Sequence, residues 1–509
     1  MKKLIIVLIS LLFVNVGIAQ TIPTCNKIFS DTGTVSGGVN ITSFNDSIYF
    51  SIYTQDTFGT HQYVDFIKTI PNGTEAARLR VKKPGYGFSP GSAGSLKMSV
   101  DGYVICGGNS GSFTGVGSGT FYKMNRATLD TLYIKYYKNP GDGADFFGFG
   151  QLSDSNYLFS GDEGDSSSLT GFNSAWIVKT DTGGNVLWEK DMESDEFNFA
   201  SLTSPFEGGF YQFWQTYHNN TLSGNFADSA IFVDRYDNSG NLQWRDTFGN
   251  VGYDNLFGPF IALRDGGGAI ILNVLDTTGY QNGPRVIYKF DSTGTILWQH
   301  YISQLTHLYG VIETPSGSII ACGGGDGYPI GVNGDTTYRS RGDIMKFDNN
   351  GNVIFYQVYE YDTLGYDGLL DITETADGGY ACIGNAFHQV NNQIVEAAWL
   401  LKVDSNGCLN GDCPTLYTAI TPIADLTNFF VFPNPASSVF TVALAGPNDI
   451  YQYHDLKFSL YDLTGRLVTE QSITAQTTII QRGDLSDGLY MWTLTDGGNQ
   501  LKTGKMVFK

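Results

Sequence analysis

Charge is scarce in this 509-residue chain. Asp, Glu, Lys and Arg make up 16% of it, against roughly 25% in ordinary soluble domains. The shortage is sharpest on the basic side, where 30 Lys and Arg face 50 Asp and Glu and leave a net charge of −20. A surface that tracks phosphates needs clustered basic residues, so nucleic acid is excluded as a partner. Beyond the N-terminus no apolar run reaches the roughly 20 residues that cross a bilayer, and no transmembrane segment is expected. Histidine is rare, and His61, His218, His300, His307, His388 and His454 have no metal-ligand spacing. HExxH, the P-loop and a GxGxxG context are all missing, so no catalytic, cofactor-binding or metal residue is nominated. The one GxSxG, Gly87 to Gly91, fails as a nucleophile elbow because Pro90 has no N–H to offer an oxyanion.

What the chain has in abundance is 63 Gly, 34 Phe and 30 Tyr, a usage that favours short strands joined by turns over helices. It opens with Lys2 and Lys3, an apolar stretch from Leu4 to Val14, and the small residues Gly17 and Ala19. That is a secretory signal peptide over 1–19, with cleavage expected between Ala19 and Gln20.

Self-similarity decides the architecture. WIVKTDTGGNVLW, FVDRYDNSGNLQW, VIYKFDSTGTILW and DIMKFDNNGNVIF end at Trp188, Trp244, Trp298 and Phe355, and WLLKVDSNGC begins at Trp399. Two degenerate copies precede them. The shared basic residue recurs at 68, 123, 179, 235, 289, 346 and 402, at intervals of 55, 56, 56, 54, 57 and 56. Upstream of it each unit carries a turn such as DGY at Asp101 or DGGY at Asp377 and a β-rich run, and before that another short run such as LKMSV or LLDITET. Four strands per unit follow, and seven such units make a seven-bladed β-propeller of four-stranded antiparallel blades over 20–413.

Gly73, Gly184, Gly240, Gly294, Gly351 and Gly407 stand five residues after the basic position, where a turn closing in the left-handed region requires glycine. Asp181, Asp237, Asp291, Asp348 and Asp404 begin these turns and are expected to accept backbone N–H bonds. Calcium is the alternative, but an EF-hand loop sets its oxygens and glycine at other spacings. The Asp-box of sialidase-like propellers has Asp–Gly and Gly–Trp spacings of two and three, whereas Asp237, Gly240 and Trp244 give three and four. The repeated tryptophans are expected to pack unit against unit, and the equivalent Cys106, Cys322 and Cys382 to be buried free thiols. Cys408 and Cys413 bracket a four-residue turn and are the favoured disulfide, with Cys25 joining either as the alternative. Zinc lacks a second CxxC and a nearby His. The seventh unit has no fourth strand of its own. Residues 25 to 30 are expected to supply it and so remove two sheet edges at once.

After a 414–427 linker the repeat gives way to alternating apolar residues and Gly or Asn turns, a small antiparallel sandwich over 428–509. Pro433-Asn434-Pro435, Gly465 with Val468, Leu485 with Gly488 and Tyr490, and the terminal Lys505 to Lys509 carry a resemblance to the type A C-terminal sorting domain of the type IX secretion system of Bacteroidetes. The resemblance implies passage of a folded cargo across the outer membrane with the type IX machinery as partner. It also implies removal of this domain, then release or attachment at the cell surface. The repeats likewise resemble those of Bacteroidetes surface proteins with DGGY and KxDxxGNxxW units, a family largely without assigned activity.

Acidic clusters at Asp142/Asp145, Asp162/Glu163/Asp165 and Asp326/Asp335 are placed in non-repeated loops and read as solvated charges, the alternative being paired carboxylates that hold Ca²⁺ or cleave a glycosidic bond. The reading preferred here is a monomeric exported propeller that binds a glycan or protein through one mouth of the ring, a binding module in preference to an enzyme. A matrix role without a discrete site and a polysaccharide-acting enzyme are the alternatives.

Overall fold

The computed structural model describes residues 22–31, 34–56, 61–112, 117–137, 143–164, 173–192, 197–217, 230–248, 255–256, 258–274, 285–302, 307–324, 328–332, 335–361, 367–390, 393–409, 429–432, 436, 438–444, 456–474, 477–483, 485–497 and 499–509. Ala19, Gln20, Cys413, the 414–427 linker and Pro433-Asn434-Pro435 lie outside these residues. The chain divides into two units, Met1–Leu416 and Tyr417–Lys509. The described residues of both are built from strands and turns, with no helix.

In the first unit each repeat folds as an antiparallel meander. Sheet I consists of Thr34–Phe44, Ser47–Asp56, Gln62–Thr69 and Glu75–Val81, in that order from its inner to its outer strand. Sheets II (86–137), III (144–192), IV (197–248), V (255–302) and VI (307–359) follow the same order. The inner strand is split in sheet II, as Tyr86–Pro90 and Leu96–Met98, and in sheet V, as Asn255–Leu256 and Phe260–Ala262. Sheet VII takes Gly368–Glu374, Tyr380–Val390 and Gln393–Val403 from the end of the unit and its outer strand, Cys25–Phe29, from the beginning. That strand pairs antiparallel with Gln393–Val403, from Cys25 opposite Lys402 to Phe29 opposite Ala398. It adds no loop. It gives Gln393–Val403 a second hydrogen-bonded neighbour that the repeat itself does not encode.

Among the described residues each of these seven sheets touches the next, and sheet VII touches sheet I. The result is a closed β-propeller-like ring. The strand sequences explain why: a sheet with neighbours on both faces must be apolar on both, and Ile319–Gly324 and Gly342–Phe347 are buried almost without a break. Each pair of neighbours shares its own core. Sheets I and VII meet around Ile41, Phe50, Ile67, Ile383 and Leu400, and sheets VI and VII around Cys322, Leu369, Cys382 and Trp399. Trp176 and Trp399 are fully buried, and Cys25, Cys106, Cys322 and Cys382 are free and buried.

The repeated basic residue holds the ring together on one face. Lys123 reaches Asp101 of its own sheet at 2.8 Å and the Thr182 carbonyl of the next sheet at 3.3 Å. Lys179 reaches Asp154 and the Asn238 carbonyl, both at 2.6 Å. Arg235 reaches the Gly266 and Ser292 carbonyls of sheet V at 2.7 and 3.1 Å. Lys402, whose side chain is fully buried, takes Asp377 and the Pro23 carbonyl, both at 2.7 Å, and thereby grips the segment leading into the closing strand. Against the upward push of burial, these lysines hold the carboxyls of Asp101, Asp154 and Asp377 below the ordinary aspartate range.

The outer turn completes the joint. Gly73, Gly184, Gly240, Gly294, Gly351 and Gly407 all have φ between 75° and 90°, and in the degenerate second unit Leu129 takes the left-handed conformation at φ 63°. A side chain on Gly351 would meet the Trp298 ring at 2.7 Å, and one on Gly240 the Trp188 ring at 3.0 Å, so each turn lies directly on the outer strand of the preceding sheet. The Trp244 and Trp298 indole N–H groups donate to the turn carbonyls of Ser292 and Asn349 at 3.0 and 2.8 Å. Asp181 accepts Asn185 N and Asp348 accepts Asn352 N, at 2.8 and 2.9 Å. Backbone amides hold Asp181 and Asp237 below the usual carboxylate range.

The second unit pairs a three-stranded sheet, Phe429–Phe432, Val439–Leu444 and Thr477–Gln481, with a four-stranded one, Leu467–Ser472, Leu456–Tyr461, Gly488–Asp496 and Asn499–Phe508. Phe440, Phe458, Trp492, Leu494, Met506 and Phe508 fill the space between them.

Lys402→Met leaves Asp377 and the Pro23 carbonyl without their cation and is expected to cost about 3 kcal/mol in denaturant unfolding. The same change at Lys68, whose contact to the Ala127 carbonyl is exposed at 3.5 Å, is expected to cost under about 1 kcal/mol.

Candidate functional site

The inner strands meet around an axis, and their register breaks there. Shifts fall between Gly38 and Asn40, Phe146 and Gly148, Phe199 and Leu202, Leu308 and Gly310, and Leu369 and Asp371. Each bulge bends its strand and frees backbone groups, and polar side chains from neighbouring sheets take them up. Asn40 donates to the Gly91 carbonyl at 2.8 Å and accepts Ser95 N at 2.9 Å. Asp371, 4% exposed, accepts Ile41 N of sheet I at 2.9 Å, Gly94 N of sheet II at 3.0 Å and Ile372 N of its own sheet at 2.9 Å. One carboxylate thus joins three sheets across the point where the chain closes on itself.

Between the inner strands runs a channel of about 930 Å³, lined by residues of all seven sheets. Its partly exposed wall carries Met98, Leu202, Ile261, Ile312 and Leu370 from five different sheets, together with the rings of Phe147 and Tyr309. Among the described residues four charged side chains line it: Lys97, Arg264, Glu313 and Asp371. Arg264 donates through Nη1 to the Thr314 carbonyl at 3.0 Å, and Glu313 accepts Arg264 N at 2.8 Å. Burial pushes the Asp371 carboxyl up to about 6, against the opposing pull of its three amides and of Lys97. Burial pushes the Lys97 amine down, and Asp371 opposes it.

The acidic clusters expected in loops sit differently. Asp145 and Asp162 lie in strands Ala144–Gln151 and Tyr157–Gly164, directly opposite each other. Glu163 is also within a strand, and Asp335 begins strand Asp335–Arg339. The strands of sheet III run on in register past the point where glycine and charge suggest a loop. Asp142, Asp165 and Asp326 lie outside the described residues, and Asp145 and Asp162 do not line the channel. Among the described residues no group of three His, Cys, Asp or Glu is arranged to hold a metal ion. Cys408 is disulfide-bonded while Cys25 is free, which removes the pairings through Cys25.

In the second unit, Gly465 stands at φ 84° in a turn whose amides at 464 and 466 donate to Asp462. Gly488 opens the strand that carries Tyr490, whose hydroxyl donates to the Ser486 carbonyl at 3.0 Å and whose ring meets Phe508 edge-on at 5.3 Å. Lys505 pairs with Met491 in the final hairpin, and Lys509 N donates to the Ala436 carbonyl at 3.0 Å. The motif residues that can be placed therefore shape one hairpin and the turn beside it. Residues 430–509 match the secretion system C-terminal sorting domain family. The second unit is a type IX sorting domain. The sorting domain makes this a secreted or cell-surface protein and the type IX machinery its partner.

No curated protein matches the chain. Among solved structures it is similar to the acylaminoacyl peptidase of Pyrococcus horikoshii, at 10% identity and TM-score 0.44, over 80% of this chain and 57% of that one. It is also similar to a protein of unknown function from Bacteroides caccae, at 11% identity and TM-score 0.28, over 53% and 94%. A third is a mannose phosphorylase from Leishmania mexicana, at 9% identity and TM-score 0.30, over 53% and 88%. This chain spans just over half the length of the archaeal peptidase. Likenesses this distant say nothing about what the ring binds.

Lys97 and Asp371 were not singled out by the sequence, although both lie in short runs read as the first strand of a unit, LKMSV and LLDITET. The available signal is a charged residue inside a run that must face the axis. Asp371 holds its proton more tightly folded than unfolded, so its contribution to stability is full below about pH 4 and is lost as pH rises to about 6. The shift from 3.8 to about 6 corresponds to about 3 kcal/mol. Unfolding free energies of wild type and Asp371→Asn, compared across pH 3.5 to 7, are expected to move by about that much in favour of the variant; a flat difference contradicts the assignment.

Proposed function

We propose that this is an exported ligand-binding module, whose ring takes a glycan or protein ligand through one mouth of its channel. The observation that carries the reading is the channel itself, to which every sheet contributes its inner strand. A wall assembled from seven separated stretches of sequence is a surface no single repeat possesses, and concave sites of this size are where ligands are held. Catalysis on a polysaccharide would ask for two carboxylates free to act as acid and base. On this wall Asp371 is committed to three amides, and Glu313 accepts the Arg264 amide. Between the two ligand classes, the wall offers aliphatic surface to a protein segment and the Phe147 and Tyr309 rings to a sugar. The function needs no cofactor, and calcium enters only as a variable of the test.

The full chain is screened against glycan and peptide panels with and without calcium, beside Ala93→Trp, which places an indole in the channel. Saturable binding of one class, weakened at least tenfold by Ala93→Trp, is expected. Binding that ignores the substitution, or none in either panel, contradicts the reading.

A further inference from the structure

Among the described residues that line the channel, one cation is uncommitted. Lys97 lies on the three-residue strand Leu96–Met98 of sheet II, half-buried, and lines the cavity. Among the described residues its ammonium donates no hydrogen bond and forms no direct ion pair; Asp371 acts on it only electrostatically. The other charged groups of the wall are engaged: Arg264 with the Thr314 carbonyl, Glu313 with Arg264 N, and Asp371 with three backbone amides. An ammonium that has lost part of its hydration in apolar surroundings is stabilised by an anion that can accept its N–H donors.

The surroundings narrow the class of anion. Met98, next to Lys97 in its strand, and Leu202, Ile261, Ile312 and Leu370 elsewhere on the wall present aliphatic surface from five sheets, alongside the Phe147 and Tyr309 rings, so the body of the ligand is apolar. With Asp371 close by, one ammonium takes at most a single carboxylate, whereas a phosphate dianion asks for several donors and a more positive site. A volume of about 930 Å³ holds a small molecule or the end of a larger one.

We propose that the channel receives an aliphatic chain ending in a carboxylate, with the carboxylate on Lys97 and the chain along the Met98, Leu202, Ile261, Ile312 and Leu370 wall. The inference rests on the channel being the ligand site and names the chemistry of the group that enters it. That group is supplied either by a free aliphatic acid or by the aliphatic C-terminus of a polypeptide.

Isothermal titration of the full chain with decanoate, decanol, N-acetyl-trileucine and its C-terminal amide tests this, using wild type, Lys97→Gln, Lys97→Arg and Ala93→Trp. Decanoate is expected to bind and decanol to bind at least tenfold more weakly. Lys97→Gln is expected to weaken decanoate at least tenfold, Lys97→Arg less than threefold, and Ala93→Trp to abolish it. N-acetyl-trileucine binding better than its amide identifies a polypeptide C-terminus as a source; decanoate binding alone identifies a free acid. Decanoate bound equally by wild type and Lys97→Gln yet blocked by Ala93→Trp overturns the role of Lys97 and leaves the channel as a ligand site. Failure of every probe on wild type overturns the inference, while the glycan and peptide panels judge the binding-module reading separately.

Discussion

A four-stranded sheet that is apolar on both faces has nowhere to stop. Each face needs a neighbour, each neighbour has a second face of its own, and only a closed ring satisfies them all. In this protein that demand is met twice over. Apolar cores join successive sheets, and beside each core a basic side chain or a turn glycine locks the edge of one sheet to the next. The last joint differs from the rest, because Cys25–Phe29 comes from the other end of the chain. Lys402, Trp399 and Asp371 are the residues that secure it. Lys402 holds the Pro23 carbonyl, Trp399 donates to Asn26 at 2.6 Å, and Asp371 collects amides from sheets I and II.

Closure also makes the channel. Inner strands brought close to an axis cannot keep a regular ladder, and the register shifts at Asn40, Gly148, Gly310 and Asp371 are the local consequence. The polar side chains that repair these breaks are buried at the centre of the molecule, in an environment that raises the Asp371 carboxyl and lowers the Lys97 amine. Structural repair and ligand recognition thus draw on the same few residues, with Asp371 spent on the fold and Lys97 left over. The sorting domain adds the address, and puts whatever the ring binds outside the cell.

Much of this was legible in the residues because the ring repeats its own solution. The basic residue, the turn glycine and the outer tryptophan recur about every 56 positions, since each solves the same steric and electrostatic problem at the same joint. The second unit shows the limit of such reading: its turn is carried by Leu129 at φ 63° rather than by glycine, so it looks degenerate while forming an ordinary sheet. The strand at 25–29 was legible from a seventh unit that lacks a fourth strand and from the likeness of the stretch after Cys25 to the fourth-strand, loop and first-strand stretch that begins at Trp244. Lys97 and Asp371 escaped because they are not repeated. A single charge in a β-rich run looks like the solvent face of an alternating strand until the fold turns that face to the axis. The acidic pair Asp145 and Asp162 erred in the opposite direction, taken for loop when strand pairing carries on through it.

The claim that closure by the N-terminal strand governs the stability of the whole ring has a direct measurement. Thermal unfolding of the full chain is compared with that of a chain lacking residues 20–31. Loss of the strand leaves Gln393–Val403 with a bare edge, removes the acceptor of Lys402 at Pro23 and opens the joint to sheet I. The account therefore predicts a fall in Tm on the order of 10 °C, with the sorting domain's own transition unmoved. An unchanged Tm for the ring contradicts it.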